Sequence, residues 1–122
     1  RAGRVIAFLS DQSALHIAST FIHFFGRPAK TPRGPAVFAL RLNAPVFFGS
    51  CIREPDGRYR IHVREIVIER TGDTEHDVDA ILIEYSRLLE NFVRESPEQY
   101  FWQHRRWKRQ PANTPPELLD PV

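Results

Sequence analysis

The 122-residue chain contains no methionine and a single cysteine, Cys51. One thiol closes no internal disulfide, so nothing here calls for an oxidising compartment. No histidine stands at ligand spacing from Cys51, which removes the usual zinc patterns and leaves no metal site to argue for. No apolar run approaches the ~18–20 residues that span a bilayer as a helix, and no secretory leader is visible. Walker and dinucleotide glycine patterns are missing, and so is a G-x-S-x-G elbow. No cofactor is therefore expected. A start at Arg1 with no methionine implies a trimmed, processed or truncated product.

What is present fits one domain with an ordinary core: apolar residues make up 42% and charged residues 26%. A net charge of +2 is too small to argue for nucleic acid as a partner. The charge is concentrated instead, in Arg105, Arg106, Lys108 and Arg109, directly after Tyr100, Phe101 and Trp102 and around Trp107. Rings beside cations suit a surface that meets anionic and apolar groups together, as at a lipid headgroup layer. The plainer reading is cations capping a helix end and Trp102 in the core.

Val5 to Leu9 is a short apolar run that reads as a buried strand, with Asp11 and Gln12 at its C-terminal end. Ligands tend to bind at that edge of open α/β sheets, although Asp is also common in turns. Residues 13–33 read as irregular, with strand character from Thr20 to Phe25 that stops at Gly26-Arg27-Pro28. Ala36 to Leu42 reads as a short helix, opened by the Pro-Gly signals before it and ended by Asn43 and Pro45. Val46 to Arg53 and Arg58 to Glu69 read as an antiparallel hairpin about the turn Glu54-Pro55-Asp56-Gly57. The second strand alternates, with Tyr59, Ile61 and Val63 on one face and Arg58, Arg60, His62 and Arg64 on the other. Thr74 to Asp77 resembles a capping box, and Val78, Ile81, Leu82, Tyr85, Leu88, Leu89 and Phe92 follow at helical steps. Ser96-Pro97-Glu98-Gln99 ends that helix and opens another, Gln99 supplying the return bond. The domain reads as residues 1–110, and the Pro-rich stretch 111–122 as an extended or disordered tail.

Cys51 lies among Phe47, Phe48 and Ile52, where burial would quiet its thiol. Glycerolipid acyltransferases pair a His with an acid five positions on, a pairing that His16, His23, His62, His76 and His104 all lack. The residues there are Phe21, Pro28, Val67, Ile81 and Arg109, so no such pair exists and each His reads as a surface or half-buried structural residue. In Phe21 to Thr31, Gly26 would let backbone approach a ligand, and Arg27, Lys30 and Thr31 could contact phosphate. A strand followed by a loop of solvated charges explains the same residues.

Three segments, in order and spacing, resemble the bacterial lipid A biosynthesis (lauroyl/myristoyl) acyltransferase family. They are Gly3 to Gln12; Phe24 to Thr31, continuing through Gly34, Ala36 and Ala39 to Asn43-Ala44-Pro45-Val46; and Pro97 to Lys108. The resemblance covers about residues 2–110. It implies an α/β fold, a mixed sheet with flanking helices, forming the C-terminal part of a glycerolipid-acyltransferase-like domain. It implies transfer of a fatty acyl chain from acyl carrier protein or acyl-CoA to a hydroxyl of a lipid A-type glycolipid precursor. The full-length enzyme would sit at the cytoplasmic face of the bacterial inner membrane, with the fragment itself soluble. The family's catalytic His and acid would lie upstream, leaving this chain inactive alone. Asp11 would take a supporting catalytic role; Gln12, Gly26, Arg27 and Thr31 would shape the acceptor pocket; Arg105, Arg106 and Lys108 would hold a phosphate or the acidic carrier. The alternative is a membrane-surface binding module that uses the basic, Trp-rich segment on an anionic membrane. A sheet cut from its remainder would expose an edge, and a homodimer is one remedy.

Overall fold

The computed structural model describes residues 3–13 and 16–119. Its spine is helix α2, Thr74–Glu95, the long amphipathic helix that the heptad-like spacing predicts. The cap is one residue earlier than the sequence pattern suggests. Asp73, not Thr74, is extended at the N-cap, and its carboxylate accepts the His76 backbone N–H at 3.2 Å. Asp77 is only 5% exposed, and its carboxylate accepts the Thr71 backbone N–H and the Thr71 hydroxyl, the latter at 2.7 Å. A buried carboxylate thus fixes the loop that enters α2.

Two antiparallel strand pairs lie along this spine. Strand β1 (Ser19–Phe24) pairs with β2 (Arg27–Pro32) through the two-residue turn Phe25-Gly26. Both turn residues have positive φ, 50° and 77°, as the tight primed hairpin turn requires, so Gly26 answers a conformational demand. Strand β3 (Val46–Arg53) pairs with β4 (Tyr59–Ile66) about the expected turn. There Gly57 has φ of 86° and donates its backbone N–H to the Glu54 carbonyl at 2.9 Å. Helix α1 (Gly34–Leu42) links the two hairpins and ends at Asn43 in the left-handed conformation. The α/β character stands as expected, and among the described residues every ladder is antiparallel.

The core has two parts that meet along α2. Ile22, Ala36, Ile66, Val78, Ile81, Leu82 and Leu88 form one. Phe24, Ala29, Leu89, Val93 and Tyr100 form the other, with Trp107 packed against it. Phe24 is central, 1% exposed, with its ring 5.4 Å from that of Trp107 and stacked on it.

Several expectations are corrected. Residues 4–10 form no strand, and Val5 and Leu9 are 94% and 98% exposed. A strand needs a neighbour for its backbone groups, and no ladder includes this run. The stretch 27–32, read as irregular beyond the stop at Gly26-Arg27-Pro28, is instead an edge strand, where the missing N–H of Pro28 and Pro32 costs no ladder bond. Cys51 is exposed on the outer face of β3, since strand alternation places Phe48 and Ile52 on the opposite face. No second long helix follows Ser96: a single 3-10 turn covers Pro97–Gln99, and residues 101–110 run in turns, so the cations there ring no helix end. Beyond 110, the described residues include a 3-10 turn at Pro116–Leu118. Among the described residues no helix is long and apolar enough to cross a membrane.

Candidate functional site

The segment 100–110 wraps the open edge of β2 and ties three distant pieces of chain together. Arg106 donates through Nη1 to the Lys30 carbonyl at 2.6 Å and through Nη2 to the Thr31 hydroxyl oxygen at 3.1 Å. The Trp107 indole N–H donates to the Phe24 carbonyl at 3.1 Å, and the Gln110 side-chain amide donates to the Pro28 carbonyl at 2.8 Å. Side chains thus satisfy carbonyls of the hairpin that would otherwise need a further strand.

The same segment grips residues 11–13 from the other side. Tyr100 donates its hydroxyl to the Asp11 carbonyl at 3.3 Å, and the Ser13 backbone N–H donates to His104 Nε2 at 3.0 Å. Asp11, Tyr85, Tyr100, His104 and Arg106 therefore share one neighbourhood, and their ionisation reflects it. Burial raises the Tyr85 and Tyr100 hydroxyls above their ordinary range, with Asp11 adding to the rise and Arg106 opposing it. Burial, then the Arg106 charge, pulls His104 below the ordinary imidazole range, with Asp11 opposing. Arg106 is itself lowered by burial, while the two tyrosines and Asp11 act in the other direction. At neutral pH the cluster holds neutral tyrosines and a neutral imidazole around a guanidinium that is 3% exposed. No carboxylate pairs directly with that guanidinium among the described residues, and its Nε has no partner.

The site residues expected from sequence divide by depth. Asp11 is half-buried within the cluster, and Gln12 beside it is exposed. Thr31 is 2% exposed, donates its hydroxyl to the Ala29 carbonyl at 2.9 Å and accepts from Arg106, so both Thr31 and Arg106 support the site from beneath. Gly26 sits at the β1–β2 turn, where an added Cβ would meet no atom within 4 Å, so no close approach of protein explains it. Arg27 lies over the Trp107 ring, its guanidinium carbon 5.6 Å from the centroid. Arg105 and Lys108 are exposed, as are Phe101 and Trp102 at 54% and 49%. Sequence reasoning passed over Tyr85, Tyr100 and His104. Tyr100 and His104 stood inside the aromatic–basic stretch, and Tyr85 was masked by its fit to the helical spacing.

The cluster is packed, a wall and not a cavity. Two shallow depressions, of about 570 and about 470 Å³, lie around Ile52 to Arg60 and Ser96 to Gln99, and none of these site residues lines either. No group of three or more potential metal ligands occurs among the described residues.

The three segments brought together here are those whose order carried the family resemblance. A search of curated proteins found no match. A family model described as bacterial lipid A biosynthesis acyltransferase matches residues 1–109. With that match over nearly its whole length, the chain belongs to the bacterial lipid A biosynthesis acyltransferase family.

Proposed function

We propose that this chain builds the substrate-facing flank of an acyl-transfer site. In that site a fatty acyl chain passes from acyl carrier protein, or from acyl-CoA, to a hydroxyl of a lipid A-type glycolipid precursor at the cytoplasmic face of the bacterial inner membrane. The observation that carries this reading is the convergence of Asp11, Thr31 and the 100–107 segment on one cluster, from positions up to 91 residues apart. Acyl transfer to a hydroxyl needs a base to take its proton, and donors for the oxyanion formed when oxygen attacks the thioester carbonyl. None of the chain's histidines is followed at the fifth position by an acid, so the base and its partner come from outside these residues. Asp11, half-buried in the cluster beside the exposed Gln12, supports that base. Gln12, Gly26 and Arg27 border the acceptor, and Arg105 and Lys108 face the phosphate groups of the donor or the acceptor. Arg106 and Thr31 hold this arrangement from below.

The test joins this chain behind a family segment that carries the His-x-x-x-x-acid pair and supplies acyl carrier protein thioester with a lipid A precursor. The expected result is a product one acyl group heavier from the joined protein and none from the chain alone. No product from the joined protein with either donor would overturn the reading. A second reading, a module that binds anionic membrane, draws on the exposed Phe101, Trp102, Arg105 and Lys108. It loses the contributions of Arg106 and Trp107, which turn inward. Charge reversal at Arg105 and Lys108 that leaves vesicle sedimentation unchanged would exclude it.

A further inference from the structure

Asp11, Gln12 and Ser13 have no helix or ladder of their own to hold them. Residues 4–10 before them join no strand pair, and Asp11 and Gln12 form a bend. An irregular segment keeps a fixed course only where groups from elsewhere satisfy its backbone. Two side chains do so here. The Tyr100 hydroxyl donates to the Asp11 carbonyl at 3.3 Å, and His104 Nε2 accepts the Ser13 backbone N–H at 3.0 Å. The first contact holds the peptide plane that leaves Asp11, and the second holds the next plane along. Two consecutive planes held in this way limit where the Asp11 side chain can point.

Neither contact uses the Asp11 carboxylate. Although the residue is half-buried, that carboxylate has no hydrogen bond or ion pair among the described residues. A carboxylate that serves the fold is bonded, as the Asp77 carboxylate is to the backbone and hydroxyl of Thr71. Asp11 is the reverse case, its backbone gripped and its acid group left open. The gripping residues are themselves anchored. Tyr100 is 8% exposed, with its ring 5.9 Å from that of Phe24 and 4.9 Å from that of Trp102. The His104 carbonyl accepts the Arg106 backbone N–H at 2.9 Å, and Arg106 is bonded to Lys30 and Thr31 of β2. Contacts thus run from the β1–β2 hairpin through residues 106 and 104 to Ser13. Each grip also needs a neutral side chain, a hydroxyl that keeps its proton and an imidazole bare at Nε2. Burial favours both forms.

We propose that Tyr100 and His104 are positioning residues of the acyl-transfer site, clamping the backbone of residues 11–13 so that the Asp11 carboxylate is aimed at the base supplied from outside these residues. The proposal rests on the acyl-transfer reading above and adds to it the means by which an irregular segment is held to catalytic precision. A displacement of about 1 Å at a reacting constellation can cost ~100-fold in rate, whereas a single hydrogen bond adds little to overall stability. Turnover is therefore the sensitive readout, and coupling to Asp11 separates positioning from a purely structural clasp.

The experiment is a double-mutant cycle on the complete enzyme, with acyl carrier protein thioester as donor and a lipid A precursor as acceptor. Tyr100→Phe removes only the hydroxyl. His104→Leu removes the acceptor, and His104→Gln keeps one. The expected result is that Tyr100→Phe and His104→Leu each lower kcat about threefold to tenfold with KM unchanged for both substrates, and that His104→Gln recovers most of the loss. In an Asp11→Asn background neither substitution lowers kcat further, because both act through the carboxylate already removed. Urea midpoints taken in parallel confirm that each variant is folded. Full additional losses on top of Asp11→Asn overturn the proposal. So does a His104→Gln variant no better than His104→Leu, or an undiminished kcat in either Tyr100→Phe or His104→Leu while Asp11→Asn is impaired. An undiminished kcat in Asp11→Asn itself overturns the role of Asp11 in the acyl-transfer reading, and this clamp with it.

Discussion

The Ser13 backbone N–H donates to Nε2 of His104 across 91 positions of sequence, so the imidazole must be unprotonated at Nε2 for the two segments to stay joined. Burial and the Arg106 charge already hold His104 below its ordinary range. The folded pKa thus lies below the unfolded value of about 6.5. The stabilising contribution is complete above the unfolded value and is lost as pH falls through it towards the folded one. Hydrogen exchange should show the Ser13 amide less protected at about pH 5 than at about pH 7.5, after correction for intrinsic exchange rates. His104→Ala should open it at both. Protection that ignores pH and the substitution would show that the contact does not form.

Arg106 is a buried cation with two hydrogen-bonded acceptors and no carboxylate directly paired with it among the described residues. Arg106→Ala leaves the Thr31 hydroxyl and the Lys30 carbonyl without this donor and should lower stability by about 2–4 kcal/mol. Arg106→Lys should recover little, because an ammonium lacks the fork that reaches both acceptors. Urea denaturation reads both as a lower midpoint at unchanged slope. Wild-type stability in Arg106→Ala would instead mark the side chain as one held ready for a ligand.

Truncating the centre of the second core should be costly in the same assay. Phe24 touches Trp107, Tyr100 and Phe25 through ring contacts and is 1% exposed. Phe24→Ala should therefore cost about 3–5 kcal/mol. A cost under about 1 kcal/mol would mean that the cluster collapses around the gap or is not packed as described.

The start of α2 separates two neighbouring residues. Asp73→Ala removes the carboxylate that accepts the His76 N–H and should cost about 1 kcal/mol. Thr74→Ala, already inside the helix, should cost much less. The reverse order in thermal melts would return the cap to Thr74.

These contrasts mark where sequence was enough. Helix α2 and the β3–β4 hairpin were legible because their signals are local: apolar spacing from Val78 to Phe92, and a Pro-Asp-Gly turn between alternating strands. What depends on distant partners was not. Val5 to Leu9 has strand composition, yet strand is a property of a pair. β2 was hidden beyond the stop at Gly26-Arg27-Pro28, and an edge tolerates its Pro28 and Pro32. Gln99 has the residue type of a helix-return bond but spends its amide on the Arg53 backbone, 46 positions away. Arg106 has the type of a surface anion binder and lies buried, because Thr31 and Lys30 arrive from a hairpin that no local pattern announces. The family was legible all the same, since order and spacing of motifs survive errors about depth.

The most direct measurement is steady-state acyl transfer by the complete enzyme, with acyl carrier protein thioester as donor and a lipid A precursor as acceptor. The prediction is that Asp11→Asn lowers kcat by about tenfold or more with little change in KM, whereas Arg105→Glu with Lys108→Glu raises KM for the donor or the acceptor and spares kcat. Kinetics unchanged in both variants would contradict a substrate-facing flank at this cluster.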